Sequence, residues 1–331
     1  MASEHLRNPW LIAAWPGMGN VAIGAAAYLV EKLGAQRLGE LPPGDYFDLK
    51  RIEVKGGIAQ PPRFPRSTFY GWRDPAGVRD LVIFVGEAQP SERGFEFATR
   101  LLDHAMPYGV ERVFTFAAMA TPIHPSADPR VFAVATQPAL LNEVRLDAAG
   151  HERAHVLAEG EITGLNGVLL AAAMQRGLGG VCLLGELPFF AIGVPNPKAS
   201  LAVLRVFQAA SGIPIDLSEI ETQAQAVERG LIQLLERMQA AARQARAAAA
   251  SEDEEEGGFS VPSFAVESEE EDEEEESRPR LDERARQRIE RLFEQAREDR
   301  TKALDLKAEL DRLGVFKEYE DRFLDLFKQA E

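Results

Sequence analysis

Cysteine, histidine and clustered basic residues are scarce in this 331-residue sequence. It contains 1 Cys and 5 His, and its 37 Lys and Arg are outnumbered by 53 Asp and Glu, which gives a net charge of −16 at pH 7. A single cysteine excludes an internal disulfide framework and a cysteine-rich zinc site. The negative charge argues against a nucleic-acid partner, because binding to phosphates requires clustered cationic side chains.

Long apolar runs and targeting features are also missing. No run approaches the roughly 20 apolar residues that span a bilayer. The segment Met1–His5 lacks the basic and apolar regions of a secretory signal. We therefore expect a cytoplasmic, soluble protein with no membrane partner.

Known catalytic signatures are absent as well. Gly17-Met18-Gly19 is not followed by the Gly-Lys-Ser/Thr of a Walker A loop, and Ala22 occupies the third glycine position of the dinucleotide fingerprint. The Gly-x-Ser-x-Gly elbow of serine hydrolases does not occur. Cys182 lies in an apolar run, which is typical of a buried and inert thiol. We predict no catalytic residue, no metal ligand and no cofactor, and this favours a non-catalytic protein.

Acidic residues are concentrated at the end of the chain. Residues 251–331 hold 28 of the acids and 14 of the bases, whereas residues 1–250 are nearly balanced. Runs of five acids at Glu252–Glu256 and eight at Glu269–Glu276 predict a disordered acidic linker over residues 251–280, because like charges repel and little apolar surface can be buried. Amphipathic patterns return in residues 281–331 and predict a helical hairpin, with two helices joined at Gly314.

Short apolar runs alternate with helical patterns in residues 1–247. The predicted strands are Trp10–Trp15, Asp80–Val85, Val110–Phe116, Val131–Ala135 and Gly180–Leu184. Helices are predicted at Val21–Leu33, Phe95–Met106 and Asn166–Gln175. This alternation is typical of crossover connections and predicts an α/β domain with a mostly parallel sheet and helices on both faces.

A long helix is predicted to begin at Ser218. Ser218 and Glu221 have the spacing of a capping box. Apolar residues then follow at alternating intervals of four and three, from Ile220 to Ala245, which is the pattern of a coiled-coil seam. Such a helix packs either on its own α/β domain or on another copy of the chain.

Three glycine-containing turns follow predicted strands, where open α/β sheets bind ligands. We expect a pocket formed by Pro16, Gly17, Gly19, Asn20, Gly86, Glu87, Thr163, Gly164, Asn166, Gly167 and Glu186. Thr163 is predicted to cap the helix that follows it. Glu87 and Glu186 either face one crevice as a carboxylate pair or are two solvated carboxylates on its rim.

These turns also carry a family resemblance. The segments concerned occur in order between about residues 8 and 240: Trp15–Val21, Tyr28–Gly34, Gly86–Pro90, Tyr108–Val113, Pro129–Thr136, Ile162–Gly167, Cys182–Glu186 and Pro195–Ser200. Together they resemble the proteasome assembly chaperone 2 family. The resemblance implies a fold like that of nucleoside phosphorylases, homo-oligomerisation with a trimer favoured, and a protein client, with proteasome subunits as the candidate.

Two functions follow from these observations. The first is a non-catalytic interaction protein that resembles an assembly chaperone. The alternative is a small-molecule-binding protein or an enzyme that uses the crevice formed by the three turns.

Overall fold

The structure is a computed structural model of the chain. It describes residues 6–48, 52–255 and 283–298, together with positions 302, 306, 307, 309, 310, 313, 319 and 322, and for 242–255 it describes the backbone alone. The chain divides into two compact units, Met1–Gly257 and Gly258–Glu331.

The first unit contains ten strands and six helices among its described residues. The strands are β1 (Trp10–Ala14), β2 (Gln36–Glu40), β3 (Val54–Lys55), β4 (Ile58–Ala59), β5 (Ser67–Trp72), β6 (Leu81–Gly86), β7 (Arg112–Thr121), β8 (Val131–Ala135), β9 (His155–Val156) and β10 (Gly179–Pro188). The helices are α1 (Val21–Lys32), α2 (Gly94–Ala105), α3 (Pro138–Arg145), α4 (Leu165–Gln175), α5 (Pro197–Ser211) and α6 (Ser218–Glu255).

Eight strands form one sheet in the order β2-β5-β6-β1-β7-β10-β8-β9, and β3 and β4 form a separate two-stranded sheet. The four central strands β6, β1, β7 and β10 are parallel, and Ile12 pairs with Ile83 on one side and with Phe114 on the other. Antiparallel strands flank these four on both sides. β5 pairs antiparallel with β6, and β8 pairs antiparallel with β10. The predicted α/β class with a mostly parallel sheet is confirmed.

The central strand β1 is buried on both faces. Trp10 and Ile12 pack in the cluster that includes α1 and α5, whereas Leu11 and Ala13 pack in the cluster that includes α2 and α4. Successive side chains of a strand point to opposite faces, so a continuous apolar run can serve two layers of helices. Helices therefore cover both faces of the sheet, as predicted.

Two central strands are longer than the sequence pattern indicates. β7 continues past the predicted end at Phe116 to Thr121, and β10 continues past Leu184 to Pro188. The two extensions pair with each other as far as Thr121 and Pro188. The backbone partners come from distant segments, so local apolar patterning does not reveal them.

The start of α6 differs from the prediction. The Ser218 hydroxyl donates to the Asp216 carboxylate at 2.7 Å, and Glu221 pairs with Arg205 at 2.7 Å. The predicted capping box between Ser218 and Glu221 is therefore wrong. The helix reaches Glu255, so residues 251–255 are helical rather than part of the predicted linker.

The first half of α6 packs on its own domain. Ile220, Ala224 and Leu231 are buried, and Lys198 pairs with Glu228 at 2.6 Å. Further along the same seam, the side chains of Leu234 and Met238 are exposed. The predicted packing on its own domain is thus seen for the helix as far as Leu231, and packing on another copy of the chain stays a prediction.

The second unit contains α7 (Glu283–Glu298). The predicted apolar face of this helix is buried: Ile289, Phe293 and Ala296 pack with Leu306 and Leu310. The predicted junction at Gly314, most of the second predicted helix and most of the acidic linker lie outside the described residues.

No helix in the part of the chain that the structure describes has both the length and the hydropathy needed to cross a bilayer.

Candidate functional site

A cleft of about 520 Å³ lies at the carboxyl ends of β1 and β7 and beside Leu184 of β10. Its lining comes mainly from the turn after β1, the end of β7 and the turn before α4. The lining residues are Trp15, Pro16, Gly17, Met18, Ala22, Gln89, Ala117, Ala118, Met119, Ala120, Leu157, Gly160, Glu161, Ile162, Thr163, Gly164, Asn166 and Leu184. A volume of this size is typical of small-molecule sites.

The turn after β1 divides between two surfaces. Pro16 and Gly17 line the cleft, whereas Gly19 and Asn20 line a second groove between α1, α5 and α6. Gly19 has φ +57°, and a Cβ there would lie 2.7 Å from a methyl group of Leu187. Its N–H donates to the Ile192 carbonyl at 2.7 Å. Gly19 therefore serves tight packing against the segment after β10.

Gln89 joins the two walls of the cleft. Its Nε2 donates to the Pro16 carbonyl at 3.0 Å, and its Oε1 accepts from the Leu165 N–H at 3.2 Å. One side chain thus holds the turn after β1 and satisfies a free donor at the first turn of α4. The predicted site omits Gln89, although it includes Gly86 and Glu87 of the same turn. The two hydrogen-bond partners of Gln89 are more than seventy residues away in the sequence, so local patterns do not reveal them.

The turn before α4 depends on two glycines. Gly164 has φ +69°, a conformation that favours glycine, and it is the N-cap of α4 without a side-chain hydrogen bond. The predicted Thr163 cap is therefore wrong, and Thr163 lines the cleft as an exposed side chain. A Cβ on Gly167 would lie 2.3 Å from the Ile162 carbonyl oxygen, so this position has no room for a side chain.

Two polar atoms on cleft-lining residues have no hydrogen-bond partner. The Trp15 side chain is 2% exposed and packs edge-to-face on Phe84, and its indole Nε1–H has no acceptor among the described residues. The Oδ1 atom of Asn166, in the first turn of α4, is buried and has no donor there either. Buried polar groups are nearly always paired, so each orphaned atom calls for an explanation.

Glu87 lies away from the cleft, in contact with two arginines. Its carboxylate accepts from Arg63 Nη2 and Arg66 Nε, each at 2.9 Å, and from the Arg66 backbone N–H at 3.0 Å. Burial acts to raise the pKa of Glu87, but the hydrogen bonds from Arg66 and the positive charges of Arg66 and Arg63 together outweigh burial, so the pKa is lowered. Gly86, the last residue of β6, pairs with Ser67 of β5.

Glu186 is also separated from the cleft, and its hydrogen bonds come from its own chain. Its side chain is 1% exposed and accepts from Arg130 through the backbone N–H, Nε and Nη2 at 3.1, 3.0 and 2.7 Å, and from the Thr121 hydroxyl at 2.7 Å. The hydrogen bonds from the Arg130 side chain are the main reason that the pKa of Glu186 is lowered to about 2. Glu87 and Glu186 thus have separate arginine partners and do not act as a carboxylate pair in the cleft.

The structure brings five of the eleven predicted residues to one site. Pro16, Gly17, Thr163, Gly164 and Asn166 line the cleft. Gly19 and Asn20 line the groove beside α6, and Glu186 lines a small enclosed cavity. Gly86, Glu87 and Gly167 are not among the residues that line the cleft.

The cleft holds no evident catalytic group. Among the described residues that line it, Glu161 is the only ionisable one, and it is exposed. The thiol of Cys182 is buried in the sheet, and burial raises its pKa to about 12. In the described ranges, no group of three His, Cys, Asp or Glu side chains could hold a metal ion.

Comparison with known proteins places this fold in a family. Residues 11–235 match the model of the PAC2 family, which covers the α/β unit as far as the first half of α6. The chain belongs to the PAC2 family, and the resemblance seen in the sequence motifs is confirmed.

Individual relatives agree with this assignment. The uncharacterized protein MJ1210 of Methanocaldococcus jannaschii is 27% identical over 247 residues, which cover 73% of this chain and 90% of that protein. The crystal structure of Pyrococcus furiosus PbaB, an archaeal proteasome activator, is 26% identical with a TM-score of 0.59, and the match covers 69% of this chain and 94% of PbaB. A PAC2 family protein from Streptomyces avermitilis is 27% identical with a TM-score of 0.58, over 68% of this chain and 95% of that one.

Proposed function

We propose that this protein is a non-catalytic interaction protein that acts as an assembly chaperone, with proteasome subunits as its client in the cytoplasm. Family membership carries the proposal. It is supported by the similarity to PbaB, which is an archaeal proteasome activator. Among the described residues that line the cleft, where an enzyme of this fold class would have its active site, the only ionisable side chain is the exposed Glu161, and this supports a non-catalytic role.

Exposed apolar side chains at the carboxyl end of the sheet are a suitable client surface. Met18 follows β1, and Phe189 and Ile192 follow β10; each is exposed by more than two fifths. The bond from the Gly19 N–H to the Ile192 carbonyl joins the two segments that carry them. We call Met18, Phe189 and Ile192 the end patch. Apolar side chains grouped at one end of a folded unit are typical of protein-binding surfaces.

The client is tested by following assembly directly. Purified proteasome α and β subunits of the source organism are mixed with and without the protein, and the particles formed are separated on native gels over time. We expect faster formation of complete particles with the wild-type protein and a loss of this effect in Phe189→Asp/Ile192→Asp. The matched control is Ile58→Asp/Val78→Asp, which adds two carboxylates at exposed apolar positions outside the end patch. An assembly rate unaffected by the wild-type protein would contradict the proposed client.

We also propose that the protein is a homo-oligomer, with a trimer favoured, and that the part of α6 just after Leu231 contributes to the contact. The helix has 38 residues and is therefore roughly 57 Å long. Leu234 and Met238 continue the seam of buried Leu231 but are exposed. A helix with an apolar stripe buries it most simply against the same stripe of another copy.

Light scattering tests this contact. We expect the wild-type protein to have about three times the 36.4 kDa mass of one chain. Leu234→Asp/Met238→Asp should lower this mass, because the two carboxylates fall in the proposed seam. Gln233→Asp/Ala240→Asp adds the same charge at exposed positions beside the seam and should leave the mass unchanged. A monomeric wild-type protein would overturn the proposal.

A further inference from the structure

The groove beside α6 has a volume of about 500 Å³ and is open to solvent along one side of the domain. Its walls are α1 and α6, which both pack on α5, and the start of α5 forms its floor. Small residues face the groove from both walls, with Gly24 and Ala27 on α1 and Ala226 on α6. The distance between packed helices depends on the side chains at their contact, so small residues here leave room for the large side chains of another helix.

The exposed apolar residues of α6 provide such side chains. Leu234, Met238 and Ala241 continue the seam of buried Leu231, and all three are exposed. We call these three exposed residues the stripe. Large side chains of one helix insert between small ones of another when helices interlock. The stripe and the groove therefore have complementary shapes.

The charges of the two surfaces are also complementary. Among the described residues that line the groove, the charged ones are Glu31 and Glu219, and Glu31 is exposed without an ion pair in the described part of the chain. Residues 232–250 of α6, which include Arg237, hold three arginines and one glutamate. Two stripes in direct contact would bring these positive segments together, whereas the groove offers carboxylates.

The stripe does not enter the groove of its own chain. α6 begins beside the end of α1, where Glu219 pairs with Lys32, and further on Leu231 lines a small cavity together with Pro188 at the end of β10. The helix then continues away from the groove, whose wall its own first turns form. Sharp kinks need a cause such as proline, and α6 contains none, so it does not fold back. The occupant must come from another copy of the chain.

We propose that the stripe of one copy lies in the groove beside α6 of a second copy. This inference rests on the proposed homo-oligomer and names the two surfaces that meet in it. α6 then serves twice, since its first turns form a wall of the groove and its later turns fill the groove of a neighbour. A contact between two different surfaces closes into a ring when the rotation between copies allows it, which agrees with the favoured trimer.

The variant Ala27→Trp tests whether the groove is used. Ala27 is exposed on α1, so the large side chain leaves the core intact but takes the space of the stripe. We expect light scattering to give the 36.4 kDa mass of one chain, instead of about three times that mass for the wild type. Ala171→Trp is the matched control, because Ala171 is exposed on α4 outside the groove, and it should keep the wild-type mass. Circular dichroism checks that both variants are folded.

The possible masses separate this inference from the homo-oligomer on which it rests. If the wild type is an oligomer and Ala27→Trp keeps its mass, the groove is empty and the inference is overturned, while the homo-oligomer stands. A monomeric wild type overturns both.

A mixture of two variants tests whether the stripe and the groove meet each other. Ala27→Trp has a blocked groove and an intact stripe, whereas Leu234→Asp/Met238→Asp has an open groove and a disrupted stripe. Each variant alone should be a monomer. Their equimolar mixture should form particles with about twice the mass of one chain, because one intact stripe fits one open groove. A mixture that contains only single chains would overturn the inference.

Discussion

Glu186 and the pair formed by Trp15 and Asn166 lie near the same end of the sheet, yet their polar atoms have opposite surroundings. Glu186 accepts four hydrogen bonds from Arg130 and Thr121. The indole N–H of Trp15 and the amide oxygen of Asn166 have none within the described chain. A buried polar group that its own chain satisfies belongs to the fold. One that the chain leaves unsatisfied is unfavourable for the fold, as are the unpaired hydroxyl of Ser67 and amide oxygen of Gln208.

The largest effect is expected for Glu186→Gln. Loss of the charged hydrogen bonds should lower the free energy of unfolding at pH 7 by about 2–3 kcal/mol, less than the full pKa shift implies because Arg130 is half-exposed and screened by water. Urea denaturation measures this change. The control Glu143→Gln, which removes an exposed pair with Arg112, should stay within about 0.5 kcal/mol.

The pair formed by Glu186 and Arg130 also predicts that the stability of the fold depends on pH. The pKa of Glu186 is about 2 in the folded protein and near the ordinary 4.5 of Glu when unfolded. A lowered pKa stabilises the fold above the unfolded value, and this stabilisation is lost as pH falls from about 4.5 towards 2. The difference in the free energy of unfolding between wild type and Glu186→Gln should therefore shrink over that range. A difference that stays constant down to pH 2 would show that Glu186 is not held as a carboxylate.

A smaller effect is expected for Gly167→Ala beside the cleft. The new Cβ would lie 2.3 Å from the Ile162 carbonyl oxygen, so the turn before α4 must shift. We expect a loss of about 1–3 kcal/mol in unfolding free energy. Gly17→Ala is the matched control, because its Cβ would meet nothing within 4 Å and its φ of −165° is ordinary extended backbone. Equal losses in the two variants would contradict the packing seen at Gly167.

Asn166→Leu should change the free energy of unfolding in the opposite direction to Glu186→Gln. It removes an unpaired buried acceptor at similar side-chain size, so the free energy of unfolding should stay the same or rise by up to about 1 kcal/mol. Thermal denaturation measures this change. A clear loss of stability would mean that the chain does satisfy this amide, and the contrast with Glu186 would disappear.

The smallest effect is expected at Cys182. Its thiol is buried and its pKa is raised to about 12, first of all by burial, so almost no reactive thiolate forms near neutral pH. Incubation of the folded protein with a thiol reagent should modify Cys182 only after denaturant is added. Rapid modification of the native protein would show that the central sheet opens locally.

The sequence predicted the parts of the fold that depend on neighbouring residues. The apolar run at β1, the helical spacing in α1 and the amphipathic face of α7 were all confirmed, because burial on one or two faces leaves a periodic pattern. Exposed β2 was not predicted, since Gln36–Glu40 has no apolar alternation. The candidate site was predicted only in part: the turns were found, but not how their members divide between the cleft, the groove and the arginine pairs.

What the sequence determined by itself was the α/β class, the family and the location of the turns, since these follow from local patterns and ordered motifs. Only the tertiary structure decided which turn residues meet. Arg63 and Arg66 hold Glu87 on one side of β6, Arg130 holds Glu186 near the end of β10, and Gln89 joins two turns that are distant in sequence. The physical reason is that a charged or amide side chain pairs with whatever partner the folded chain brings within about 3 Å, and sequence spacing carries no such distance.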